Sequence, residues 1–363
     1  MTYLERESFS EYDQSLALVY DKKYTQYMQG TTHPERPERL VYSLDMMREE
    51  SLIGDVIQKV TPESASLDSI QQVHTNRYLQ RLYRQSRKGS GSISADTKIT
   101  DQTWTAARLA AGGAIRAAEL AWEQQYDSAY AFTRPPGHHA LPDRAHGFCF
   151  LNNTAIATKA IRQETDCSRV AIWDIDAHHC DGTQRVFYED SDVLVTSIHE
   201  EDATKFLNIG GTEYTGEGEG RGRTVNIPLP PQAGDDAYQA AVEQIAQPIS
   251  ESFSPDILLL EIGFDAHFGD ALSQMHLTAN GYGDLVRKAQ NFANTHCDGR
   301  LGLILSGGYD FTAGLPYSNL ATLNALLGGP EDFVTEPNQP PTQVTGENHI
   351  TRAREAQAHH WSL

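Results

Sequence analysis

Cysteine is scarce in this chain. Cys149, Cys167, Cys180 and Cys297 are spread over 363 positions, with neither the paired spacing of a zinc finger nor the density of a disulfide scaffold. A reducing compartment suits them. Long apolar runs are missing as well: no uninterrupted stretch approaches the roughly 18 residues of a membrane span, and residues 1–8 lack the basic start and apolar core of a signal peptide. The expectation is a cytoplasmic protein with no membrane partner. Positive charge is also short. Lys and Arg total 29 against 49 Asp and Glu, a formal net charge of −20, and no basic run offsets it, which argues against direct contact with nucleic-acid phosphates. Such a charge would steer a lysine-rich segment or a polyamine inward. A solvated acidic surface, or adaptation to salt, is the plainer explanation, so charge alone names no substrate. No internal repeat is present.

What is there is an ordinary globular composition, 39% hydrophobic and 21% charged, with enough apolar surface for a large core. Runs rich in Val, Ile, Leu or aromatics at 16–20, 128–133, 170–174, 193–199, 257–262 and 301–305 read as buried parallel strands. Helical stretches at 104–124, 153–163, 236–253 and 280–296 separate several of them. That order predicts one α/β domain over 1–335 with a mainly parallel sheet. The proline-rich 336–341 is expected to end it, leaving 336–363 as a polar tail with a short helix from Asn348. Lys88-Gly89-Ser90-Gly91-Ser92 reads as a flexible loop. The alternating Gly and Glu of 216–222 superficially suggest a phosphate loop, but the carboxylates would repel phosphate and a surface turn is expected.

Three clusters carry chemistry. The first is Arg134-Pro135-Pro136-Gly137-His138-His139-Ala140. The second runs from Asp174 through Asp176, His178 and Asp181 to Gly182. The third joins Gly263-Phe264-Asp265 to Ser306-Gly307-Gly308-Tyr309. Each follows a predicted strand, and in parallel sheets ligands bind at the carboxyl ends of strands. In an extended segment Asp174, Asp176 and His178 share one face, as a divalent metal would require or as a hydrogen-bonded strand end would equally show. Asp265 as a further ligand would leave a catalytic zinc its open position. Oxygen-rich donors also suit iron(II). Tandem histidines on a Pro-Pro-Gly turn, with Asp174 and Asp181 as partners, suggest imidazoles set for proton transfer. Two glycines before Tyr309 would bring its hydroxyl close enough to serve a developing oxyanion.

The ordered set of 134–140, Gly147-Phe148-Cys149-Phe150-Leu151-Asn152, 174–182, 263–265 and 307–309, with His33-Pro34-Glu35-Arg36-Pro37-Glu38-Arg39-Leu40 ahead of it, resembles the zinc-dependent histone deacetylase family, including its bacterial amidohydrolase members. The similarity covers roughly 16–329. It implies a three-layer α/β/α arginase/deacetylase-like fold and one Zn2+ held by Asp176, His178 and Asp265. It also implies His139 as general base and then acid with Asp181 behind it, and His138 with Asp174 as electrostatic support. Tyr309 would sit on the carbonyl oxygen. A structural potassium ion would use oxygens of Asp174, Asp176, His178, Ser197 and Ile198. Gly147 and Phe148 would form one wall of the acyl channel, with Phe206-Leu207, where relatives carry two phenylalanines, on the other and Asp96 at the rim.

The implied substrate is an acyl-lysine peptide or a small acylated amine, and a homo-oligomer is compatible with either. Polyamine enzymes of this superfamily use acidic gatekeepers, and Leu272 stands where one group places a glutamate. That leans toward acyl-lysine. The nearby Asp270 is expected to brace a turn. An arginase-like binuclear hydrolase is disfavoured by the tandem histidines and Tyr309, and a noncatalytic acyl-lysine reader by the full set of reactive side chains.

Overall fold

A computed structural model of the chain describes residues 14–28, 30–50, 52, 56–201, 209–338 and 340–363. Its strands are β1 (Leu16–Val19), β2 (Ile57–Val60), β3 (Ser90–Ser92), β4 (Lys98–Thr100), β5 (Ser128–Ala131), β6 (Val170–Asp174), β7 (Val193–Glu200), β8 (Thr224–Leu229), β9 (Ile257–Ile262) and β10 (Leu301–Leu305). Eight form one sheet in the order β2-β1-β5-β10-β9-β6-β7-β8, and every neighbouring pair is parallel.

Two-sided burial explains why these runs are so uniformly apolar. In β1, Leu16 and Leu18 enter one core while Ala17 and Val19 enter the other. In β6, Ala171 and Trp173 face the first core, Val170 and Ile172 the second. Helices Glu38–Glu49, Ala279–His296 and Gly314–Leu326 close the first layer, and Asn76–Lys88, Thr103–Glu123 and Asn153–Glu164 the second. The result is the expected α/β/α sandwich. The helix expected over 236–253 is helical throughout but contains a π-turn, Val242–Ala246, between Asp235–Ala241 and Gln247–Phe253. Pro248, which has no N–H to offer a preceding turn, stands just past it.

Several expectations change. Lys88 ends a helix capped by Gly89 in the left-handed region, and Ser90–Ser92 pair with Lys98–Thr100 as a small antiparallel hairpin rather than a loose loop. Of the segment expected as a polar tail, the described residues pack onto the body. Glu336 accepts from His267 and from the Ala279 N–H, and helix Glu347–Gln357 buries Ile350 and Ala353 in the core beside β8. β8 itself was missed because Pro228 interrupts its pattern. As an edge strand it tolerates a residue without an N–H.

Candidate active site

The four innermost strands, β5, β10, β9 and β6, are neighbours, and their carboxyl ends release the three clusters side by side. His138 and His139 follow β5 by way of a turn locked from behind. Arg134 donates Nε and Nη2 to Glu35 at 2.6 and 2.9 Å, and Arg39 adds Nη1 at 3.2 Å. Burial opposes ionisation of Glu35, but the two guanidiniums outweigh it and hold its carboxyl below the usual range. Arg39 reaches across to the carbonyls of Gly308 and Ser306 at 2.6 and 2.5 Å, joining the His33–Leu40 segment to the turn before Tyr309.

Each histidine of the pair has its own carboxylate. His138 Nδ1 lies 3.1 Å from Asp174 Oδ2, and His139 Nδ1 lies 2.8 Å from Asp181 Oδ1. Their electrostatics diverge. Burial would lower both, but the charges of Asp176 and Asp174 raise His138 well above the ordinary histidine range. Burial and then the charge of His138 hold His139 down to about 3. The surroundings thus favour the charged form at His138 and the neutral form at His139. Tyr309 is pushed well up by burial and remains a phenol able to donate.

Beside them, Asp176, His178 and Asp265 bring one ligand atom each within 4.8 Å of the others. His178 Nδ1 stands 2.9 Å from Asp265 Oδ2 and 3.2 Å from Asp176 Oδ1. The carboxylates are aimed by backbone: Ala177 N–H donates to Asp265 Oδ1 and Gly307 N–H to Asp176 Oδ2. A Cβ at Gly307 would sit 2.3 Å from Asp265 Oδ2, so only glycine permits this approach. Such a cluster calls for positive charge. Burial and the charge of Asp176 raise Asp265 to about 7, and His178, lowered by burial but raised more by Asp265 and Asp176, reaches about 10. A point that attracts a proton so strongly fits a cation, and two carboxylates plus one imidazole are the donors of an open metal site.

The remaining expected residues distribute as follows. Phe148, at positive φ, packs its ring edge-on to Tyr309 at 5.4 Å and to His33 at 4.7 Å. Gly147 N–H donates to the exposed Asp96 at 3.1 Å, which sets Asp96 beside that wall. Leu272 is half-buried, its N–H held by Asp270. Ser197 lies opposite Asp174 in the β6–β7 ladder, with Ile198 next to it. Phe206 and Leu207 lie outside the described residues. Sequence reasoning missed Glu261, a lone carboxylate in an otherwise apolar strand, which groups with His138 and Asp174 and is raised to about 8 by burial and the charge of Asp174. Its signal was there: a charge inside a buried run. It also missed His146, which nothing in a Gly-Phe-Cys neighbourhood announces.

The histone deacetylase domain model matches residues 33–326. The chain belongs to the histone deacetylase family. Among curated relatives, it is 42% identical to a probable deacetylase of Archaeoglobus fulgidus over 88% of each chain. It is 37% identical to the histone deacetylase-like amidohydrolase of Pseudomonas aeruginosa, over 81% of this chain and 76% of that one. The solved HDA15 HD domain superposes with a TM-score of 0.86 at 28% identity, covering 96% of both chains. This histone deacetylase homologue is therefore an enzyme of deacetylase or amidohydrolase type, from a zinc-dependent family, and it carries a cluster fit for a metal. No helix among the described residues is long and apolar enough to cross a membrane.

Proposed function

We propose that this enzyme is a zinc-dependent amidohydrolase that removes acetyl or other acyl groups from lysine side chains. The reading rests on the convergence of Asp176, His178 and Asp265 beside a neutral His139 and the Tyr309 phenol. Zinc held by those three residues, for which iron(II) is the alternative, would supply Lewis acidity and acidify a water.

The chain's own residues do the rest. Asp181 fixes His139 with Nδ1–H facing it, leaving Nε2 to take the proton of the attacking water and later hand it to the leaving amine. His138, cationic against Asp174, adds positive charge as the acyl oxygen becomes negative. Tyr309 donates its hydroxyl to that oxygen. Phe148 provides an apolar wall for the lysine stem, with Gly147, Asp96 and the Phe206-Leu207 pair as further channel and rim positions. Potassium would be held by oxygens of Asp174, Asp176, His178, Ser197 and Ile198, a grouping supported by the pairing of Asp174 with Ser197.

The second reading is an acetylpolyamine amidohydrolase, favoured by the net charge of −20 and opposed by the apolar Leu272. Purified protein of known metal content, given an acetyl-lysine peptide, a longer-acyl peptide and an acetylpolyamine with His139→Ala as control, separates them. Peptide preference lost in the control supports the lysine deacylase. Polyamine preference overturns it.

A further inference from the structure

Asp181 faces two imidazoles, and the mechanism above uses only one. Its Oδ1 takes His139 Nδ1 at 2.8 Å and the Gly182 N–H at 3.0 Å. Its Oδ2 is buried without an aligned hydrogen-bond donor, and Nε2 of His146 stands 3.1 Å away. A buried carboxylate oxygen needs a partner, and leaving it without one is costly.

His146 is brought there by a tight local frame. Leu141 and Arg144 bridge, His146 and Cys149 bridge, and Cys149 N–H donates to the His146 carbonyl at 2.9 Å. Gly147 follows at φ +54, where a Cβ would stand 2.3 Å from the His139 ring. The His146 ring therefore lies 5.4 Å from that of His139, with its side chain 15% exposed. Asp181 is held well below the carboxylate range. Burial opposes its ionisation, and the hydrogen bond from His139 together with the nearby His146 ring outweighs that.

We propose that His146 is a positioning residue for the general base: its Nε2–H holds Asp181 Oδ2, which fixes the carboxylate plane and keeps Oδ1 on His139. The inference rests on the role proposed for His139. A carboxylate held on one side only can turn about its last bond, and the base then loses its fixed tautomer and aim.

The test uses the full-length, metallated enzyme and two substitutions of similar length. His146→Met removes the donor, and turnover is expected to fall roughly five- to twentyfold with KM and metal content unchanged. His146→Gln places an amide nitrogen near the Nε2 position and should recover turnover to within about twofold of the parent. In an Asp181→Asn background, His146→Met should cost nothing more. Unchanged turnover in His146→Met, equal losses in Met and Gln, a loss carried by KM or metal content, or additivity with Asp181→Asn would each overturn the proposal. A parent enzyme inactive on every acyl substrate would sink the deacylase reading instead. The contact would then be judged from the 15N shifts of the His146 ring, which Asp181→Asn must move if the two side chains are joined and which, unmoved, refute the link.

Discussion

One oxygen of Asp270 receives the backbone N–H groups of both Tyr309 and Asp310, at 2.5 and 2.9 Å, while the other takes the Leu272 N–H at 2.9 Å. The carboxylate thus ties the loop after β9 to the turn that aims the phenol. Tyr309→Phe should lower turnover roughly 10²–10³-fold with metal retained. Asp270→Ala should cost about tenfold by letting the phenol drift, and in the Tyr309→Phe background it should cost little more. Steady-state kinetics on the four proteins decides this, and full additivity would separate Asp270 from Tyr309.

The tandem histidines should not be equivalent. His139→Ala is expected to reduce turnover roughly 10²–10⁴-fold, as loss of a general base does, because its ring is the neutral one. His138→Ala should cost clearly less. The reverse ranking in single-turnover measurements would reassign the base.

Metal and fold should be linked. Three ionisable side chains crowd one buried point, so zinc should raise thermal stability, by about 2.7 kcal/mol when free metal is 100 times its Kd. Asp265→Asn should abolish the shift. A chelated protein whose unfolding temperature ignores added zinc would contradict the assignment, whatever its activity.

Glu35 offers a pH test of stability behind the reactive turns. Arg134 and Arg39 depress its folded-state pKa. Its contribution is therefore complete above the unfolded value of about 4.3 and is lost as pH falls through the lower, folded value. Glu35→Gln leaves two buried guanidiniums poorly compensated and should cost about 3–5 kcal/mol at neutral pH. Denaturant unfolding should show this gap narrowing on acidification, whereas a gap that widens would reverse the sign.

Leu272 gives the substrate test. Leu272→Glu should raise the acetylpolyamine-to-acetyl-lysine ratio of kcat/KM by placing a carboxylate near a cationic amine. An unchanged ratio would remove this position from substrate choice.

Much of the architecture was readable because both faces of β1, β6 and β9 are covered, which forces unbroken apolar runs. β2 and β8 sit at the ends of the order, where polar residues and Pro228 are tolerated, and their patterns fade accordingly. The reactive clusters stood out because proline, glycine and tandem histidine are rare in combination. What escaped were relationships made only by folding. Arg39 meets Gly308 over 269 positions, and His146 meets Asp181 because a short turn bends back. Neither has a periodicity to betray it.

The C-terminal helix also bears on how the protein behaves at high concentration. Gln357 donates to the Thr224 carbonyl of β8 at 3.0 Å, and the Trp361 indole to Gly222 at 2.9 Å. An outer strand with unmet carbonyls is a template onto which another chain can add, the usual start of ordered aggregation. Here Gln357 fills one of those carbonyls, the helix packs beside the strand, and Pro228 withholds one N–H. Shortening the chain at 336 would therefore uncover that edge and bring self-association, a shift visible by light scattering.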